Sequence, residues 1–426
     1  MIHAGSVVTV DVEKPAAGGR MLARHKGQVV LVWGAIPGER VAARIERTGK
    51  GVAYADTIEV LSSSSDRRSA AGDWRCGGNV LAHVEYARQL ELKGEIIRDA
   101  FGHIGRVRLD RAPTVVGSPE RGYRMRARFH VQNGRIGFYR EGTHHLCHAA
   151  ETGQLLDETN AWIAATEDTL RRASLNGVGA IEIAENVAGD ERACHLDLFA
   201  GIDPSPYSVL SNGLVGLSAH PADQHTTVVL SGSPVVTDIV SVRDDDSSPR
   251  LRLQRSARAF FQGNRYLLDR LVRHVIEQVS EGPVVDLYAG GGLFGLALAA
   301  TGVEDVTLVE GDPISGADLQ RNADPFRPRI HVHRASVESF LASRRDHRPG
   351  TVVVDPPRTG LSKDAARGLL AMTPTSVVYV SCDIATLARD SRVLLDSGYQ
   401  LGDITGLDLF PNTAHVETIT VFRLSV

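Results

Sequence analysis

Val284-Val285-Asp286-Leu287-Tyr288-Ala289-Gly290-Gly291-Gly292-Leu293-Phe294-Gly295 decides the fold. Four apolar or acidic residues with strand character run into a glycine loop, and an apolar helical segment opens directly after it. Glycines let the backbone approach a ligand closely, and open α/β sheets bind ligands at the carboxyl ends of their strands. Counting on from Tyr288, 310 − 288 = 22 residues reach Glu310, at the end of the next strand-like run, Val306–Glu310. An acid there can accept hydrogen bonds from both hydroxyls of a ribose. No Lys-Ser/Thr follows the loop, which disfavours a phosphate cradle. The other reading, a glycine triplet that is only a tight turn, is weakened by the acid.

Outward from this loop the pattern persists. Strand-like and helical segments alternate: Val284–Tyr288, Leu293–Ala300, Val306–Glu310, Ile314–Ala323, Thr351–Val354, Lys363–Met372, Ser376–Val380, Ala385–Leu395 and Thr418–Leu424. Such alternation means an α/β, mostly parallel sheet, here assigned to residues 251–426. On the same sheet edge fall Val354-Asp355-Pro356-Pro357-Arg358 and Val380-Ser381-Cys382-Asp383. A lone cysteine is usually a packed apolar residue. At a strand's carboxyl end it is a candidate nucleophile, provided its neighbours lower its pKa, and Arg358 is the candidate for that field. Asp408–Thr418 supplies a third element, in which Glu417 precedes the last strand. Alone it reads as a surface acid; beside a cofactor and a thiol it reads as a general base.

The N-terminal part differs in kind. Ser6–Val10, Val29–Trp33, Val41–Glu46 and Tyr54–Val60 alternate with glycine turns, which predicts a small β unit, a barrel or a small sandwich, over residues 1–62. Residues 62–69 read as a serine-rich linker. A helix is expected from about Leu81 to Phe101, another over 155–174, and β-like runs at Val178–Ala184, His195–Phe199 and Thr226–Leu230. These place a central α+β unit at 63–250, with Arg243–Pro249 as a polar loop tip. Within 101–140, nine arginines face two acids, a local balance of 9 − 2 = +7. Arg124, Arg126 and Arg128 alternate along one strand and so share a face, readable as phosphate-binding or as an ordinary solvated surface.

These residues together resemble the RNA uridine carbon-5 methyltransferases that use S-adenosylmethionine, the TrmA/RumA-like family. The resemblance rests on Phe260-Phe261-Gln262-Gly263-Asn264, Asp286–Phe294, Glu310, Asp355–Leu361, Ser381-Cys382-Asp383 and Phe410–Glu417, in that order. Residues 1–62 resemble a TRAM domain, an OB-like RNA-binding barrel, and His83, Tyr86, Gln89, Lys93 and Gly105 also fit the family. The resemblance implies a Rossmann-like class I methyltransferase domain at the C-terminus. It implies Cys382 as nucleophile toward carbon 6 of uracil and Glu417 as the base for the carbon-5 proton. It also implies cofactor contacts at Gln262, Tyr288, Gly290, Gly292, Glu310 and Asp355. Arg124, Arg126 and Arg128 are candidates for RNA from the charge pattern alone, and Phe410 is a candidate either for stacking on the base or for apolar packing. Ribosomal RNA is favoured over tRNA because a TRAM-like barrel is present.

Two departures stand out. Many members hold a four-iron cluster on four cysteines; here only Cys76 and Cys147 match, with Ala70 and Asn79 at other ligand positions, so no metal or cluster is expected. Leu293 replaces a residue that is polar in some members. Cys194 has no assigned role. Cytosine carbon-5 methylation, exocyclic-amine methylation and a non-catalytic RNA-binding role stay open as rivals. A net charge of −4, four cysteines and the lack of a long apolar run exclude a disulfide scaffold and a membrane span. With no signal-like N-terminus, a cytoplasmic protein is expected; no protein partner can be inferred.

Overall fold

The structure is a computed structural model that describes residues 2–16, 18–70, 72–224, 226–243, 250–280, 282–344 and 348–425. Asp244–Pro249 of the expected loop tip therefore lie outside the described residues. Strands β1 (Val7–Pro15), β2 (Met21–His25), β3 (Gln28–Trp33), β4 (Arg40–Thr48) and β5 (Val52–Ser62) form a closed barrel in the order β1-β2-β3-β5-β4. Val8, Val10 and Val12 alternate inward along β1, as the two-residue period of a strand requires. Strand β2 is additional to the sequence reading. Its mixed composition, MLARH, carries little β signal, yet its pairing with β1 and β3 closes the barrel.

The serine-rich stretch after β5 is pinned. Arg67 forks onto both oxygens of buried Glu39 at 2.6 and 2.7 Å, and Glu39 also accepts from the Ile36 and Ser64 amides. Val80, Leu81, Val84 and Leu92 continue the barrel core into helix α1 (Tyr86–His103). That helix starts five residues later than expected, because 81–85 turn against the barrel. The next strand, β6 (Val115–Val116), adds to the edge of the C-terminal sheet.

The central unit holds β7 (Arg126–Gln132), β8 (Arg135–Tyr139), β9 (Leu146–His148), α2 (Asp157–Arg172), β10 (Val178–Glu185), β11 (Arg192–Leu198), β12 (Gly216–Pro221) and β13 (Val228–Gly232). Its sheet runs β13-β12-β11-β10-β7-β8-β9, and Trp162, Ile163 and Leu170 of α2 pack on it. A hairpin, β14 (Val235–Ser241) and β15 (Arg250–Ser256), buries Leu251 and Leu253 in the core of the third unit.

That third unit contains α3 (Leu268–Glu277), β16 (Val284–Leu287), α4 (Leu293–Ala300), β17 (Val306–Glu310), α5 (Pro313–Ala323), β18 (Ile330–Arg334), α6 (Val337–Ser343), β19 (Thr351–Val354), α7 (Lys363–Ala371), β20 (Ser376–Ser381), α8 (Ile384–Asp396), β21 (Tyr399–Leu407) and β22 (Glu417–Leu424). The sheet order is β18-β17-β16-β19-β20-β22-β21-β6. The first five strands are parallel, and β22 returns antiparallel to β20. Parallel strands covered on both faces read as continuous apolar runs, as Val352-Val353-Val354 does. Side chains of Asp312, Ser336, Ser362 and Asp383 cap the helices that follow them, so each strand ends in a loop of defined geometry. Among the described residues no helix is long and apolar enough to cross a membrane.

Candidate active site

The sheet register assembles the site. Leu287, Val309, Val354 and Tyr379 lie side by side, so Tyr288, Glu310 and Asp355 follow in one row at the carboxyl edge. Because β22 is antiparallel to β20, with Ser381 opposite Thr418, Cys382 and Glu417 leave the sheet at the same point. Two chain segments 35 residues apart by number (417 − 382) thus bring a thiol and a carboxyl together.

The glycine loop is shaped by its neighbours. Tyr288, Gly290 and Gly292 all have positive φ, at 63°, 57° and 98°. A Cβ on Gly292 would lie 2.5 Å from the Leu296 side chain, so only glycine fits there. The Glu310 carboxylate accepts from the Gly290 amide at 2.7 Å and the Asp312 amide at 2.6 Å, tying the two strand ends together. Asp286 accepts from the Gly295 amide at 2.8 Å, and its other oxygen, Oδ1, is buried without a hydrogen-bond partner. Asp355 accepts from Gln262 Nε2 at 2.9 Å.

Electrostatics single out this edge. Burial pushes the Asp286 carboxyl up to about 8, and repulsion from Asp355 and Glu310 adds to it. Burial likewise raises Asp355 to about 7. Glu417 is raised well above the ordinary glutamate value by burial and by Asp355, with Arg358 opposing. Buried carboxyls that repel one another suit a cationic ligand, since a positive charge among them restores their ionised forms. A sulfonium bearing an ammonium group, with a ribose for Glu310, fits this donor set; a phosphate does not.

The thiol departs from expectation. Burial, with Glu417 and Asp355 adding repulsion, pushes Cys382 up to about 11 despite the opposing Arg358. Arg358 supplies the expected field, but desolvation outweighs it. Asp383 caps α8 immediately after Cys382 by accepting from the Ala385 and Thr386 amides, which fixes the thiol's exit from the strand. The Asp355–Leu361 loop is anchored on the same helix. Thr386 Oγ1 donates to the Arg358 carbonyl at 3.1 Å, and Asp390 accepts from the Leu361 amide and the Tyr379 hydroxyl.

The Asp408–Glu417 loop is held from helix α1, a relation no local signal announces. Lys93 and Asp408, both fully buried, pair at 2.5 Å, and Lys93 also donates to the Phe410 carbonyl. The Gln89 amide exchanges hydrogen bonds with Asn412, whose φ is 63°. Arg68 donates to the same Asn412 side chain. Lys93 and Gln89 fit the family pattern in sequence; their positioning role emerges only from the packing.

In front of the loop lies a cleft of about 330 Å³ lined by Arg124, Arg128, Arg358, Phe410 and His415 together with Trp33 of the barrel. The strand β7 arginines need one correction. Arg126 and Arg128 share a face as expected, but both pair with Glu182 of β10, and Arg128 also with Asp197 of β11. The local charge of 101–140 is thus offset in part by acids that sequence distance concealed. Arg124 donates to Gln154 at 2.6 Å and faces the cleft.

Cys76 and Cys147 stand together as a disulfide in the central core. Asn79, at a cluster-ligand position, is buried and donates to the Glu151 carbonyl, and Ala70 offers no ligand atom. These residues do not fit a four-cysteine cluster. Among the described residues no group of three or more His, Cys, Asp or Glu is placed to hold a metal. Cys194 is buried, with its thiol pushed up by burial.

Residues 225–423 match the family model described as tRNA (uracil-5-)-methyltransferase, and residues 3–58 match the TRAM domain. An RNA methyltransferase of Parasynechococcus marenigrum is 28% identical over 442 residues, covering 95% of this chain and 93% of the relative. One of Streptomyces coelicolor is 29% identical over 454 residues, covering 98% and 93%. The crystal structure of Pyrococcus abyssi tRNA (uracil-54, C5)-methyltransferase with S-adenosyl-L-homocysteine superposes with a TM-score of 0.75 at 23% identity, covering 97% of this chain and all of that one, so the fold is shared.

Proposed function

Since this chain belongs to the tRNA (uracil-5-)-methyltransferase family, carries an N-terminal TRAM domain and is an S-adenosylmethionine-dependent RNA uracil carbon-5 methyltransferase, we propose that it acts through Cys382 and Glu417 on a uridine of ribosomal RNA in the cytoplasm. The observation that carries this reading is the β20–β22 register, which sets a thiol and a carboxyl at one sheet edge beside a cofactor-shaped loop. The barrel reaches the loop that carries Glu417, where Gly19 stands beside Ala414 and Trp33, which supports contact between the barrel and the substrate RNA.

When bound, S-adenosylmethionine supplies an electrophilic methyl group on a cationic sulfur. Gly290, Gly292 and Tyr288 would shape the backbone around it, Glu310 would accept from its ribose hydroxyls, and Gln262 and Asp355 would lie toward its charged end. Carbon 5 of uracil is a poor nucleophile. Cys382 loses its thiol proton to solvent, the thiolate adds through sulfur to carbon 6, and the displaced carbon 5–carbon 6 electron pair leaves an enolate on the carbon-4 oxygen. Carbon 5 then accepts the methyl group. Glu417 removes the carbon-5 proton, the carbon–sulfur bond breaks, and the double bond re-forms as the thiolate leaves. One hard substitution becomes a series of easier steps. The target base must leave its stack to reach Cys382. Arg124 and Arg128 line its approach, Arg126 holds Glu182 beside them, and Phe410 offers a face for stacking.

Incubation with methyl-labelled S-adenosylmethionine and fractionated cellular RNA tests the reading. Label is expected in 5-methyluridine from ribosomal RNA. Label confined to tRNA contradicts the ribosomal assignment, and label in 5-methylcytidine contradicts the chemistry.

A further inference from the structure

A second cavity, of about 700 Å³, lies where the barrel meets the central unit, and the chemistry above does not use it. Its walls are aromatic and guanidinium faces. Arg20 lies 5.0 Å from the Trp33 ring centre and 5.3 Å from that of Tyr54; Arg47 lies 3.5 Å over Tyr54, and Arg75 5.1 Å over Trp74. The forks of Arg20 and Arg75 are already engaged. Arg20 donates to Glu46 and to the Leu31 and Ala55 carbonyls, and Arg75 donates to Asp56 at 2.7 Å. Arg75, half exposed, still offers flat surface rather than free charge, while Arg20, only 16% exposed, is packed against the Trp33 and Tyr54 rings. Glu46 and Asp56 on the same wall hold Arg20 and Arg75 through one oxygen each and lie within hydrogen-bonding reach of one another; their remaining acceptor positions can take N–H groups, and their charge opposes a ligand recognised by its phosphate alone.

Flat π and guanidinium faces are how proteins hold unstacked nucleobases. A pair of carboxylate acceptors selects a base edge rich in donors, and guanine presents such an edge. The cavity adjoins the cleft in front of Phe410 and His415, since Gly18, Trp33, Val80 and Glu141 line both. At Gly19, whose φ is +84°, a Cβ would lie 3.1 Å from both the Ala414 Cβ and the Trp33 ring, so a bare glycine lets the barrel touch the catalytic loop.

We propose that this cavity binds a second unstacked base of the substrate RNA, a guanine near the methylated uridine, and so reads sequence context for the catalytic cleft. The proposal rests on the RNA-methylating function above, and two measurements separate the fates of the two. The first needs no catalysis. Two of the three tryptophans, Trp33 and Trp74, line the cavity, so guanosine 5′-monophosphate should quench the tryptophan emission of the full chain saturably. Tyr54→Ala and Asp56→Asn should each weaken that binding by about tenfold, as expected for losing one stacking or edge contact, while Tyr54→Phe restores it. Adenosine 5′-monophosphate should bind at least about fivefold more weakly than the guanine nucleotide, on the ordinary discrimination of a hydrogen-bonded base edge. No saturable quench, equal binding of the two nucleotides, or unchanged binding in Tyr54→Ala overturns the proposal. The second measurement is methyl transfer to RNA: Tyr54→Ala should raise KM by about tenfold and lower kcat far less. An unaltered KM in that variant overturns the proposal, whereas a wild-type chain that methylates no uridine overturns the function and leaves the nucleotide titration to judge the cavity.

Discussion

The two sides of the edge proposed to be catalytic, one for the cofactor and one for RNA, are built differently. On the cofactor side, Tyr288, Gly290, Glu310 and Asp355 come from consecutive strand ends of one parallel sheet, and neighbouring backbone holds them. On the RNA side, Trp33, Lys93, Arg124, Arg358 and Asp408 come from three units, and long-range contacts of buried or half-buried polar groups hold them. The first side is a local device that any strand–loop–helix repeat can encode. The second exists only when barrel, central sheet and C-terminal sheet have docked. Damage to the first should therefore remove one ligand or one step, and damage to the second should loosen the whole assembly.

The largest expected effect lies at the meeting point of the two sides. Cys382→Ala should lower methyl transfer by at least about 10³-fold while leaving S-adenosylmethionine affinity within about threefold, because a nucleophile has no substitute whereas the cofactor loop stays intact. A titration of cofactor beside a turnover assay checks both halves. If affinity and turnover fall together, the two sides are one device and the comparison breaks.

Next comes Lys93→Met. It strands buried Asp408 without its partner, and breaking a buried ion pair costs about 3–5 kcal/mol. Denaturant unfolding should show that loss. Replacing both partners, in Lys93→Met with Asp408→Leu, should recover much of it, since the uncompensated charge is then gone. An unchanged unfolding midpoint in the single variant would show that helix α1 does not hold the catalytic loop.

The third effect is pH-dependent. Asp286 and Asp355, with folded values of about 8 and about 7 against an ordinary 3.8, bind more protons folded than unfolded across that interval. Their contribution to stability is therefore present below pH ~4 and is lost as pH rises through the folded values. Thermal unfolding of the free protein should occur at a lower temperature at pH 8.5 than at pH 5.5, with all other groups contributing their own slopes. Bound S-adenosylmethionine should narrow the gap and release protons, visible as a dependence of the calorimetric heat on buffer ionisation. Turnover should rise with pH over the same range, because both Glu417 and Cys382 must lose protons.

The smallest effect is at Arg128. It is half tied to Glu182 and Asp197, so Arg128→Ala should weaken RNA binding only modestly and reduce the salt slope by at most about one.

The same contrast explains what could be read from the chain. Asp286–Gly295, Glu310, Asp355 and Cys382 were legible because a parallel sheet places consecutive strand ends in one row, and the spacing of those ends is written in the order of the residues. The barrel was legible apart from β2, whose five residues are strand only because two neighbours pair with them. The Lys93–Asp408 pair was not legible: the partners lie 408 − 93 = 315 positions apart, and each alone resembles a surface charge. The charge of 101–140 misled for the same reason, since Glu182 and Asp197 reach it from other strands. The raised Cys382 value could not be anticipated either, because desolvation depends on what covers the thiol and not on the arginine near it in sequence.

We propose that Cys382 and Glu417 serve successive steps of one covalent cycle. Glu417→Gln, mixed with S-adenosylmethionine and ordinary uridine-containing RNA, tests it most directly. Addition and methyl transfer precede proton removal, so this variant should accumulate a denaturation-resistant protein–RNA adduct, with the peptide bearing Cys382 carrying a methylated uridine in mass spectrometry. Normal turnover without an adduct, or an adduct on any other residue, would contradict the account.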